Sequence, residues 1–345
     1  MTIGIIGGEG SVGKTTILNL LAQHTSQAGL PTLYVDANPD QNGLEFGGVP
    51  DEARRALPVI STAMDFLRAT LEGRNPLYKD NLDQVITSSP VTKDSGFWRV
   101  SADDAVMRKF SLEHHGLSYM QTGSFTVEDA GVSCSHEKTS PLGFMLERLD
   151  DGLTGQEAKV LIDYAHGEDG FSTPLYPQSD LVIVAARPNK KSADIMSNYL
   201  RLSEEISEKI GHEIEIAAIG NMLSTDSETR TAQEDFLRAR AKGCYVGGLT
   251  MDPTLEAGFE TTVAILGDLS DENQRAIASL AERLDAADRD LDRREAWRRY
   301  VHGNFAAYYD DLMDTGGAIA AQEEHAGHRC GSGCDHHHHH PDPTK

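Results

Sequence analysis

Residues 1–15, MTIGIIGGEGSVGKT, leave few folds open to this chain. Ile3 to Ile6 is a short apolar run rich in β-branched residues, which reads as a buried strand. It breaks into Gly8-Glu9-Gly10-Ser11-Val12-Gly13-Lys14-Thr15, a G-x-x-x-x-G-K-[ST] loop, and Thr16 to Gln23 then follows with helical spacing. Strand, glycine-rich loop and helix form the context that this motif requires. Glycines let backbone N–H groups converge on phosphate oxygens, and the helix amino terminus adds its partial positive charge. Gly8, Gly10, Ser11, Val12, Gly13, Lys14, Thr15 and Thr16 are therefore the expected phosphate cradle. Lys14 would reach the β- and γ-phosphates, and the Thr15 hydroxyl would sit on Mg²⁺. The competing reading is a glycine-rich turn that binds nothing.

The rest of the chain agrees with a strand-first α/β protein. Leu30 to Pro39, Ser118 to Thr122, Lys159 to Ile162, Asp180 to Ala186, Ile214 to Gly220 and Cys244 to Val246 read as strands. Phe97 to Val100 alternates like another. Helical spacing covers Ala63 to Leu71, Leu142 to Leu149, Ser192 to Ile206, Thr229 to Ala241 and Asn273 to Ala287. Several of the strand runs are continuously apolar, which argues for a mostly parallel sheet with helices on both faces. Right-handed crossovers then gather the carboxyl ends of the strands on one side, with Asp36, Asp163 and Asn221 beside the phosphate loop. There Asp36 could reach a metal-bound water, Asp163 could serve as the acid behind the metal, and the Asn221 amide could read an adenine edge.

Composition narrows the partners. A net charge of −23 argues against nucleic acid or an anionic membrane as the ligand of a broad basic face, and could equally reflect a salty cytoplasm. No run approaches the roughly 18 apolar residues of a membrane span, and the first apolar segment is already a strand rather than a leader. Four cysteines in 345 residues do not make a disulfide framework, so the chain reads as cytoplasmic.

Three regions are expected: an ATPase domain over 1–287, a charged helical extension over 288–324, solvated except where Trp297 packs, and a disordered tail over 325–345. In that tail His325, His328, Cys330, Cys334, His336, His337, His338, His339 and His340 place seven histidines and two cysteines within sixteen residues. Imidazole and thiolate suit Ni²⁺ or Zn²⁺, and an unfolded segment suits storage and hand-over of the ion. An expression tag is the other reading of the five consecutive histidines, although tags do not supply the surrounding Cys330, His325 and Pro341 to Lys345. Cys244 reads as ordinary core, and His114-His115 as a solvated turn.

With GEGSVGKTT (8–16), VDANPDQN (35–42), GVSC (131–134), VLIDYAHG (160–167), DLVIVAARP (180–188), Asn221 and GGLTMDPTLE (247–256), the chain resembles the deviant-Walker ATPases of the MinD/ParA and nitrogenase iron-protein class over roughly residues 1–287. Within that class it looks closest to the nickel-insertion accessory ATPases of carbon monoxide dehydrogenase. The resemblance implies Mg-ATP as cofactor, a homodimer that closes on ATP, and a client metalloenzyme. An iron–sulfur electron donor and a MinD/ParA-type positioning switch are the alternatives within the class. Relatives place a metal-binding cysteine at the position of Cys134, where His136 could add an imidazole across a dimer; a free thiol is the alternative. Cysteine is missing between Asp163 and Ser179, so a four-cysteine cluster lacks half its ligands. The family's signature lysine is replaced by Glu9, and its usual second aspartate by Asn38. Glu9 must then point away, pair with a cation or be protonated. Nucleotide binding is expected; fast hydrolysis is not.

Overall fold

Residues 1–78, 80–87, 89, 91–129, 135–150, 157–165, 171, 173, 175–253, 265–287, 290–300 and 303 are described in a computed structural model of the chain. Their centre is an eight-stranded sheet. Its strands are β1 (Thr2–Gly8), β2 (Thr32–Ala37), β3 (Leu112–His114), β4 (Leu117–Gln121), β5 (Lys159–Tyr164), β6 (Leu181–Ala186), β7 (Ile216–Leu223) and β8 (Tyr245–Thr250). The spatial order is β3-β4-β2-β5-β1-β6-β7-β8, with every pair parallel except the β3–β4 hairpin at one edge. β1 sits between β5 and β6, where the order turns back on itself. In an open parallel sheet that is where the crevice for a ligand lies.

The apolar runs explain the layering. Along β5, Val160, Ile162 and Tyr164 join the core on one face while Leu161 joins the core on the other. β6 divides Val182 and Val184 from Leu181 and Ile183 in the same way. Helices α1 (Lys14–Gln27) and α5 (Asp271–Ala286) cover one face through Leu18, Leu21, Ile277, Leu280 and Leu284. Helices α2 (Ser135–Glu147), α3 (Lys190–Ile210) and α4 (Ser227–Arg238) cover the other through Leu142, Met145, Met196, Leu200 and Leu237. The fold class is the one read from the sequence. Among the described residues, no helix is long and apolar enough to cross a membrane.

Three local expectations need correction. Phe97–Val100 contributes only an isolated bridge between Trp98 and Leu149. The Trp98 indole is buried and donates to the Met145 carbonyl at 2.7 Å, so this segment is held against the end of α2 instead of extending the sheet. His114 closes β3, and only His115-Gly116 turn, with φ of 50° and 77°, the positive values of a two-residue hairpin. Residues 291–300 are helical, and Trp297 is buried as expected, but Arg293 and Arg294 are not solvated: they are 1% and 4% exposed. Both pair with buried Asp180, just before β6.

A second buried network lies at the end of α2. Arg148 pairs with Glu72, and both side chains are wholly buried. Burial pushes the neighbouring Glu147 carboxyl up to about 7, against the pull of Arg148 and Arg298 and a hydrogen bond from Gln178. Between pH 4.5 and 7 the unfolded chain loses this proton while the folded chain keeps it, so stability falls as pH rises through that window. Glu147→Gln should therefore match the parent near pH 4 and exceed it above pH 7, by about 3 kcal/mol. Chemical denaturation of both chains across that range measures the difference; a gap that does not change with pH would refute it.

Candidate nucleotide site

Each part of the phosphate loop is fixed by something beneath it. Gly8 ends β1 at φ 133°, and a Cβ there would meet the Ala185 carbonyl at 2.4 Å. Its N–H donates to the Tyr199 hydroxyl at 3.1 Å, and that hydroxyl lies 2.9 Å from the hydroxyl of Tyr176. Two buried tyrosines thus brace the loop from the sheet side, a role that sequence reading missed. Gly10 and Ser11 form the exposed crest, and Val12 returns to the core. Gly13 caps α1 at φ 88°, leaving Lys14, Thr15 and Thr16 in the first turn.

Asn221 holds the loop from the β7 side. Its amide donates to the Val12 carbonyl at 2.7 Å. A bulge aims it: two β7 residues, Asn221 and Met222, stand between the Gly220–Gly248 and Leu223–Thr250 pairs, where β8 has only Leu249. Met222 takes φ 57° to make the bulge. Asn221 is thereby a loop brace in this structure, and a Cβ on Gly13 would meet its amide nitrogen at 2.2 Å.

Lys14 is buried, and its Nζ donates to the Glu9 carbonyl at 3.1 Å. Burial lowers its pKa, while Asp163, Asp40 and Glu9 pull it back up. Asp36 and Asp163 are register partners on β2 and β5, both fully buried. The Asp163 Oδ2 atom accepts from the Thr15 hydroxyl at 2.6 Å and the Tyr34 hydroxyl at 3.0 Å. Its Oδ1 is buried with no hydrogen-bond partner among the described residues. Asp36 spends both oxygens on backbone donors, from Gly43 at 2.7 Å and Asn38 at 3.2 Å. Burial raises both carboxyls, and Asp163 raises Asp36 further; Thr15, Tyr34 and Lys14 restrain the rise of Asp163.

This donor set fits Mg²⁺. The ion takes oxygen ligands, keeps most of its waters and needs only one or two protein groups beside the phosphates. Thr15 and Asp163 offer a hydroxyl and a carboxylate with an unspent oxygen, while the engaged Asp36 suits a water in the outer shell.

The Glu9 carboxylate pairs with Lys191 at 2.9 Å, and that hydrogen bond holds it below the usual range.

The sequence profile of the CobQ/CobB/MinD/ParA nucleotide binding domain matches residues 3–246. The chain belongs to that family. It is 25% identical over 284 residues to the carbon monoxide dehydrogenase accessory protein CooC of Rhodospirillum rubrum, covering 81% of this chain and 96% of that protein. Two solved structures share the fold. One is the ATP complex of a Cyanothece McdA variant, at 15% identity, a TM-score of 0.55 and coverage of 84% of this chain and 98% of that one. The other is the MinD cell division protein of Aquifex aeolicus, at 19% identity, a TM-score of 0.51 and coverage of 84% and 99%.

The residues expected to hold the metal cargo are not among those the structure describes. Cys134 and the tail residues His325, His328, Cys330, Cys334 and His336 to His340 lie outside the described residues, as does the His136 side chain. Among the described residues, no group of three or more His, Cys, Asp and Glu is placed to hold a metal ion. Cys244 is partly buried beside β8, and burial raises its thiol, as an ordinary packing cysteine requires.

Proposed function

We propose that this chain is an ATP-dependent metallochaperone, which hands nickel or a similar divalent ion to a client metalloenzyme such as a carbon monoxide dehydrogenase. The observation that carries the reading is the likeness to an accessory protein of that enzyme along 96% of the relative's length. The hydrogen bond from Thr15 to buried Asp163, beside Lys14, supports the nucleotide half of the proposal, and the histidine- and cysteine-rich tail supports the cargo half. The ATPase domain of 1–287, the extension of 288–324 and the tail of 325–345 would then divide the work.

In this reading Lys14 and the loop N–H groups bind the β- and γ-phosphates, and Asn221, while bracing the loop, lies beside the base. Mg²⁺ on Thr15 and Asp163 would neutralise phosphate charge. Two copies close on ATP, bringing Cys134 and His136 of each copy together as a transfer site, while the tail holds the ion beforehand. Nucleotide then sets when the ion is held and when it is released.

Equilibrium dialysis with Ni²⁺ and Zn²⁺, on the full chain and on a chain ending at residue 324, tests the cargo half. The full chain is expected to bind at least one more ion than the shortened one, and ATP to change the amount retained. Equal stoichiometry would remove the tail from the proposal. Iron and sulfide in anaerobically purified protein would favour an electron donor instead.

A further inference from the structure

Glu9 is not an isolated acid on the phosphate loop. Its side chain is 15% exposed, while that of its partner Lys191 is 78% exposed, so the carboxylate is packed against the loop and the ammonium reaches it from solvent. The Ser192 hydroxyl also bonds the carboxylate, and the Arg187 charge lies close by. Arg187 itself donates from its guanidinium to the Ser11 carbonyl at the crest of the same loop. The corner that carries these groups is well tied: the Arg187 N–H donates to the Ser192 hydroxyl oxygen at 2.9 Å, and Asn189 caps α3 by accepting from the Ser192 N–H at 3.0 Å. Lys14 touches the other side of the same residue through the Glu9 carbonyl. One acidic residue therefore stands between two ammonium groups, with a guanidinium on the neighbouring crest.

An acid alone at this point would repel a triphosphate. Glu9 with Lys191 and Arg187 instead carries a net positive charge, and two cations from the β6–α3 corner reach the rim of the loop. A long, exposed lysine side chain anchored at the rim can exchange a carboxylate for a phosphate oxygen at small cost, since both are anionic acceptors.

Resting on the nucleotide reading above, we infer that Lys191 is the second phosphate cation of this site, and that Glu9 is the positioning residue that holds it at the loop rim, so that α3 supplies a charge the loop itself lacks. Lys191 then senses the outermost phosphate and separates ATP from ADP.

The test uses the full chain with mant-ATP and mant-ADP in the presence of Mg²⁺. Lys191→Ala is expected to weaken mant-ATP binding about tenfold and to leave mant-ADP nearly unchanged, as loss of one charge-assisted bond to the last phosphate requires. Glu9→Lys combined with Lys191→Ala returns a cation to the rim from the loop side and is expected to restore most of the preference for ATP. A merely structural lysine would not be rescued from position 9. Lys191→Ala that leaves the ATP-to-ADP ratio unchanged, or lowers both affinities equally, would overturn the assignment while the parent chain still binds nucleotide. A parent chain that bound neither mant-nucleotide would overturn the nucleotide reading itself, and this inference with it.

Discussion

Asp163→Asn is expected to weaken Mg²⁺-dependent ATP binding about 100-fold while leaving the free protein as stable as the parent. The two halves of that result have one cause. The Asp163 carboxylate is fully buried, and burial raises its pKa, so the fold bears a cost for each charge it keeps there. Asparagine retains an oxygen to accept from Thr15 and Tyr34 and removes the charge, so stability should hold or rise. What asparagine cannot supply is an anionic oxygen for Mg²⁺, and metal charge on the phosphates is worth several kcal/mol. Thermal unfolding separates the outcomes. The parent should gain stability with Mg-ATP by mass action, the variant should gain almost none, and the ligand-free midpoints should agree. A variant that unfolded early yet kept its Mg-ATP shift would make Asp163 a structural acid.

How far such a site can be read without coordinates depends on whether its parts are local. The phosphate loop was legible because the motif, the strand before it and the helix after it are contiguous. The inner strands were legible because strands buried on both faces must be apolar throughout, as β5 and β6 are. Acids at strand ends pointed to Asp36 and Asp163, but that they are register partners is a fact of β2 lying beside β5. Asn221 could be named but not aimed, since its direction comes from a bulge at Met222, where no glycine marks the positive φ. Glu9 had three ways to coexist with a triphosphate, by pointing away, pairing with a cation or taking a proton, and the cation that decides between them is on α3, far along the chain. The charged run after residue 287 misled for a related reason. Arginine reads as solvated by default, and only the position of Asp180 shows why two of them are buried.

Asp180→Ala should be strongly destabilising although it lies away from the nucleotide site. Asp180 Oδ2 accepts from the Ile3 N–H at 2.8 Å and from Arg294 at 2.7 Å, while Oδ1 accepts from Arg293 at 3.0 Å. One carboxylate thus ties the start of β1, the start of β6 and the helix over residues 291–300. Alanine would leave two buried guanidinium groups without this anion, and breaking a buried pair from one side costs about 3–5 kcal/mol. Spread over a chain of 345 residues, that lowers the thermal midpoint by about 4–7 °C if the chain melts as one unit. Much of what the arginines contribute runs through the acid, although Arg293 also donates to the Ser179 and Glu213 carbonyls, so replacing all three together should be milder than removing the acid alone. Asp180→Leu with Arg293→Met and Arg294→Met is expected to recover much of the loss, because an apolar set of similar volume avoids desolvating charge, less what the Ile3 N–H and the Ser179 carbonyl lose as partners. Calorimetry on the single and triple variants decides it; a triple variant no better than Asp180→Ala would mean that shape, not charge pairing, holds the helix. The same geometry governs where the chain can be shortened. A cut after residue 287 removes both arginines and strands Asp180, so any metal lost by such a chain would confuse unfolding with loss of ligands. A cut at residue 324 keeps the triad and removes only the histidine- and cysteine-rich segment, so a change in bound metal there reports on the tail itself.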